Sequence, residues 1–143
     1  QDSRGLIWIG TMGGLARYDG YRMQVFENGS RNTPGLPDAY VRSLLPLPDG
    51  SLLIGTNAGG LVSFDPADNS FHAYPIGPNG TADSKIYNLA DDHAGGVWVV
   101  TEAGLDHLNL HSGEIEHVML VFWVVIDDAL RTQGHLVLHA EEL

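Results

Sequence analysis

The chain has 143 residues, with 18 Asp and Glu against 7 Lys and Arg, no cysteine and a formal net charge of −11. That balance argues against binding to nucleic-acid backbones, which takes clustered Lys and Arg, and the missing cysteines exclude disulfides, zinc–thiolate sites and thiol nucleophiles. The longest apolar run, Val118 to Ile126, falls well short of the roughly twenty residues a membrane-spanning helix needs.

Taken from its start, the chain writes one pattern three times. Gly5-Leu-Ile-Trp8-Ile-Gly10-Thr11, closed by Gly14-Leu15 and Tyr18-Asp19, returns as Gly50-Ser-Leu-Leu53-Ile-Gly55-Thr56 with Gly60-Leu61 and Phe64-Asp65. The third copy is Gly95-Gly-Val-Trp98-Val-Val100-Thr101 with Gly104-Leu105 and Leu108-Asn109. The threonines lie 45 residues apart, from 11 to 56 and from 56 to 101. A period of this size indicates stacked supersecondary units.

Within a copy the apolar run is short, bounded by glycine and rich in β-branched and aromatic residues, which predicts a strand buried on both faces. The glycine after each threonine supplies the backbone freedom of a hairpin, so the next strand runs straight back. Asp or Asn at its end starts another turn, and a third strand follows around Phe26, Phe71 and Ile115. One more apolar stretch precedes the pattern at Val41–Leu47 and at Ile86–Leu89, which makes four short antiparallel strands per unit. The turn-rich segments Asn28–Asp38 and Gly77–Ser84 are the expected crossovers between units.

Such small sheets cover neither face alone, so each must pack between neighbours. Four-stranded sheets repeated radially make a β-propeller. The expected fold is all-β: a propeller segment of about three four-stranded antiparallel blades on a 45-residue repeat, as one segment over 1–143. Blade one spans 2–29 without its first strand, blade two 41–76 and blade three 86–117, with a degraded or truncated fourth unit over 118–143. Propellers close with about four to eight blades, so an incomplete ring is expected, completed by the remaining blades of a parent chain or by self-association.

The residues Asp2-x-x-Gly5-x-x-Trp8-Ile-Gly-Thr11-x-x-Gly14-Leu15-x-x-Tyr18-Asp19 resemble the two-component regulator propeller repeat, and the resemblance extends over about residues 1–117. It implies a non-catalytic ligand-sensing segment of a membrane-anchored bacterial sensor, in its periplasmic or otherwise extracytoplasmic region, with a histidine kinase or diguanylate cyclase as output. Many such sensors answer carbohydrate-derived signals. A carbohydrate-binding or assembly propeller outside signalling is the alternative, and a glycosidase or polysaccharide lyase a third.

Chemistry-bearing residues point the same way. The aspartates Asp2 and Asp92 lie three residues before Gly5 and Gly95, out of register with the sialidase box, and read as turn devices. Neither His107, His111 and His117 nor His135 and His139 form a recognised metal motif, so no metal and no cofactor is expected. Asp91-Asp92 and Asp127-Asp128 read as solvated turn ends, and no catalytic residue is expected. Trp8 and Trp98, sharing their slot with Leu53, read as core, with Gly10 and Gly55 admitting the neighbouring blade.

Blade connectivity selects the candidate ligand surface. The crossover into the first strand and the hairpin between the second and third open on the same face. That face gathers Tyr40 and Arg42, then Lys85 and Tyr87, with Asn57 and Glu102 on the hairpins. Aromatic rings beside a cation and an amide suit an oligosaccharide or another small polar ligand.

Overall fold

The computed structural model describes residues 1–29 and 35–119, and these residues form eleven strands in three sheets. Blade one is β1 (Ile7–Thr11), β2 (Gly14–Tyr18) and β3 (Met23–Phe26). Blade two is β4 (Val41–Pro46), β5 (Leu52–Thr56), β6 (Leu61–Asp65) and β7 (Ser70–Ala73). Blade three is β8 (Ile86–Asp91), β9 (Gly96–Thr101), β10 (Leu105–Asn109) and β11 (Ile115–Met119). Every sheet is an antiparallel meander in chain order, so the architecture is all-β and of incomplete-propeller type. The fourth unit expected over 118–143 lies, beyond its first two residues, outside the described residues, as do His135 and His139.

The periodic threonine clamps the hairpin. Thr56 Oγ1 donates to the Gly60 carbonyl at 2.8 Å and accepts from the Gly59 amide at 2.9 Å. Thr11 makes the same pair with Gly14 and Gly13, and Thr101 makes both its bonds to Gly104. Gly60 has φ +77°, the left-handed region that glycine enters without strain.

Alternation along the strands sorts side chains onto two faces. Trp8, Leu15 and Phe26 of blade one share a core with Leu52, Ile54, Val62 and Phe64 of blade two. Blade two's opposite face sends Leu53 and Leu61 into a second core with Ile86, Leu89, Val97, Val99 and Leu108 of blade three. Gly10 and Gly55 allow the blades to close: a Cβ on Gly10 would lie 2.5 Å from Val41 Cγ1, and one on Gly55 2.6 Å from Ile86 Cγ2. The free face of blade one carries Ile7, Ile9, Met23 and Val25, all exposed.

The expectation for Trp98 needs correcting. Trp8 is buried, whereas Trp98, at the same slot, is only half-buried and packs on the ring of His107, centroid to centroid 4.7 Å. The core reading holds for Trp8 and Leu53 and in part for Trp98.

Candidate functional site

The six residues singled out on the crossover face come together across the boundary between blades two and three. Two turns set the approach. Asp38 Oδ1 accepts the Tyr40 amide at 3.2 Å, its Oδ2 accepts the Ala58 amide, and Asp83 Oδ1 accepts the Lys85 amide at 2.8 Å. These Asx turns fix how each chain enters its inner strand. The hairpin tips then dock by backbone: the Asn57 amide donates to the Tyr40 carbonyl at 2.9 Å and the Glu102 amide to the Lys85 carbonyl at 3.1 Å.

At the next residue both inner strands break register. Val41 faces Thr56 and Ser43 faces Gly55, leaving Arg42 unpaired; Ile86 faces Thr101 and Asn88 faces Val100, leaving Tyr87 unpaired. A bulge re-aims its extra side chain out of the regular alternation. Arg42 and Tyr87 occupy equivalent positions one repeat apart, and the two bulges turn them towards one another.

The resulting cluster is layered. The Arg42 guanidinium carbon lies 4.8 Å from the centre of the Tyr40 ring and 5.3 Å from that of Tyr87. Arg42 Nε donates to Asn57 Oδ1 at 2.8 Å. Lys85 Nζ is 5.9 Å from the Tyr87 ring centre and forms an ion pair with Glu102 Oε2 at 2.8 Å. The hydrogen bond to Glu102 raises the Lys85 pKa, with Arg42 acting against it. Lys85 is therefore charged at neutral pH. Tyr87 remains 43% exposed, enough ring for a ligand to stack on.

Asp38 and Asp83 were not among the residues singled out from the sequence. Their signal was present, because they too stand one repeat apart and each lies two residues before Tyr40 or Lys85. A chain read for ligand-contacting side chains passes over groups whose work is to hold the backbone.

Two clefts lie elsewhere. One of about 420 Å³ opens at the opposite end of the blades, among Leu47, Asp49, Phe64, Asp65 and Tyr74; burial and the nearby Asp49 push the Tyr74 phenol up. The other runs beside β10 and β11 and includes His107 and His117. Its two histidines are already engaged: His107 Nε2 bonds Asp92 Oδ2 at 2.7 Å and His117 Nδ1 bonds Asp106 Oδ1 at 2.6 Å. Asp106 also accepts the Ala82 amide, tying the crossover to blade three.

No histidine or carboxylate group among the described residues is arranged to hold a metal ion. Asp2 and Asp92 act in turns. Asp2 accepts from the Arg4 and Leu6 amides and from Trp8 Nε1, each at 3.0 Å, and Asp92 accepts from the Ala94 and Gly96 amides. No described helix is long and apolar enough to cross a membrane.

No family model matches the chain, and no curated protein does. Solved structures do. The extracellular domain assigned to the hybrid two-component system BT3049 of B. thetaiotaomicron superposes with a TM-score of 0.73 at 22% identity, over 82% of this chain and 17% of that one. Two structures of the extracellular domain of BT4673 from the same organism, assigned to a one-component and to a hybrid two-component system, give 0.70 at 23% identity and 0.68 at 25%. Each is covered over 84% of this chain and 16% of its own length. The chain thus spans about a sixth of these domains, and shares its fold with extracellular portions of bacterial sensor systems, as the repeat residues led us to expect.

Proposed function

We propose that the chain is a non-catalytic, ligand-sensing stretch of blades in the periplasmic or extracytoplasmic region of a membrane-anchored bacterial signal-transduction protein. The ligand is an oligosaccharide or a similarly polar molecule, contacted by Tyr40, Arg42, Asn57, Lys85, Tyr87 and Glu102. One observation carries the reading: the two bulges bring a cation between two tyrosine rings at 4.8 and 5.3 Å, with an amide and an ion pair beside it. Stacking on the rings and hydrogen bonding to the polar groups is how sugars are held. The free face of blade one, with Ile7, Ile9, Met23 and Val25 exposed, fits another blade, from a parent chain or a second copy.

Glycan-array screening followed by calorimetry tests the ligand reading, with Tyr40→Ala/Tyr87→Ala as comparison. Loss of both rings is expected to weaken binding by about tenfold or more, as truncating aromatic anchors does. Undiminished binding by the double variant removes this surface from consideration.

A further inference from the structure

We infer that the crossover-face site selects a ligand carrying an anionic group, a carboxylate or a sulfate on a saccharide, and that Arg42 is the residue that pairs with it. This rests on the ligand-contact reading above and adds the charge the ligand must bear.

The argument begins with an imbalance. The chain has 7 basic residues and a net charge of −11, yet two of those basic groups, Arg42 and Lys85, flank the same Tyr87 ring. Two cations near one another in an acidic protein repel, and a bulge in β4 has re-aimed one of them, Arg42, to put it there. Among the described residues the one carboxylate that pairs with either is Glu102, 2.8 Å from Lys85. Among the described residues no carboxylate pairs with Arg42, whose one side-chain hydrogen bond runs from Nε to the neutral Asn57 amide oxygen. Asp38 and Asp83, the carboxylates of the two crossover turns, are taken up by the Tyr40, Ala58 and Lys85 amides, so the Arg42 guanidinium is left without a counter-ion.

Geometry settles which atoms remain. With Nε occupied by Asn57 and the guanidinium plane held beside the Tyr40 and Tyr87 rings, the two terminal nitrogens keep their donors. Those donors form the fork that pairs with a carboxylate or sulfate. The rings limit the rotamers open to Arg42, so less freedom is lost on pairing. In blade one the hairpin slot of Asn57 and Glu102 holds Met12, 73% exposed, which offers neither acceptor nor counter-charge. The site therefore belongs to the boundary between blades two and three.

The test uses matched probes differing in charge alone: oligogalacturonides against their methyl esters, and sulfated against desulfated oligosaccharides, titrated calorimetrically into the wild type, Arg42→Gln, Glu102→Gln and Tyr40→Ala/Tyr87→Ala. The acidic member of at least one pair should bind about tenfold or more tightly than its neutral partner, the margin a charge-assisted fork supplies. Arg42→Gln should abolish that preference, weakening the acidic member about tenfold or more beyond whatever it costs the neutral one. Glu102→Gln should enlarge it, because Lys85 is released to the ligand. Equal binding within every pair, or a preference that survives Arg42→Gln, overturns the inference; if the double tyrosine variant still loses binding, the ligand-contact reading stands without it. No binding by any probe, or binding indifferent to both tyrosines, overturns the ligand-contact reading and the charge inference together. Whichever pair shows the preference distinguishes carboxylate from sulfate.

Discussion

The two blade interfaces solve one packing problem with different side chains. Between blades one and two the core is aromatic: the rings of Trp8, Phe26, Phe64 and Phe71 meet at centroid distances of 4.9 to 6.0 Å, mostly edge to face. Between blades two and three it is aliphatic, built from Leu53, Leu61, Ile86, Leu89, Val97, Val99 and Leu108. The turn before each slot changes with it. Trp8 carries an indole N–H that Asp2 accepts at 3.0 Å; Leu53 has none, and the position equivalent to Asp2 is Leu47, which packs on the aliphatic core. A repeat of this kind conserves the slot and its satisfaction, and the residue follows from the neighbours.

Blade three breaks that rule, and the break can be measured. Asp92 is present but takes the His107 imidazole, and Trp98 lies against that ring, half-buried. Removing Trp8 deletes a buried ring together with its hydrogen bond, so Trp8→Ala should destabilise by about 3–5 kcal/mol. Trp98→Ala should cost less, about 1–2 kcal/mol, because part of the ring is already in solvent. Chemical denaturation of the two variants checks this; equal losses would mean that the slots are equally buried.

The second prediction moves to the inner strands. A side chain at Gly55 meets Ile86 at 2.6 Å and Ser43 Cβ at 3.4 Å, and neither neighbour is the far end of a flexible chain. Gly55→Val should therefore destabilise by about 1–3 kcal/mol through overpacking. Val100, at the corresponding place in blade three, is tolerated natively and buried. Val100→Gly deletes a buried side chain and puts glycine inside β9, so it should destabilise as well, by a cavity where Gly55→Val does so by a clash; a denaturation midpoint equal to that of the wild type would contradict this.

These asymmetries explain how far the sequence could be read. The fold class follows from the 45-residue spacing of Thr11, Thr56 and Thr101, since a hairpin clamp is local and its signal survives in every copy. The close approach at Gly10 and Gly55 was legible for the same reason. Connectivity placed Tyr40, Arg42, Asn57, Lys85, Tyr87 and Glu102 on one face. That Arg42 and Tyr87 turn towards one another was not legible, because a bulge leaves no residue signature in this stretch and depends on the partner strand. The half-burial of Trp98 escaped as well: periodicity equates slots, whereas burial depends on what packs against each one. His107 diverting Asp92 is a contact fifteen positions apart, set by pairing with Trp98 across β9 and β10.

The third prediction uses pH to separate the two ends of the segment. Burial pushes the Asp2 carboxyl up, but bonds from Trp8, Arg4 and the Leu6 and Arg4 amides outweigh it and hold its pKa at about 2, below the ordinary 3.8. A folded value below the unfolded one gives stability that is present in full above about 3.8 and lost as pH falls through about 2. Discounted for solvent screening, the contribution at neutral pH is on the order of 1–2 kcal/mol. His117 works with the opposite sign. Its bond to Asp106 raises its pKa above 6.5, so its contribution is complete below 6.5 and disappears as pH climbs through the raised value. Blade one should thus weaken in acid, while the tie between blade three and its crossover weakens on the alkaline side. Denaturation midpoints from pH 2 to 9 for the wild type, Asp2→Asn and His117→Gln resolve the two. Asp2→Asn should be less stable at neutral pH and flatter between pH 4 and 2, keeping the acid sensitivity that Asp19, Asp68 and Asp92 supply, since their carboxyls are also held low. His117→Gln should flatten only the limb above pH 6.5. An Asp2→Asn profile parallel to the wild type through the acid range would show that the Asp2–Trp8 bond does not hold the carboxylate in its charged form.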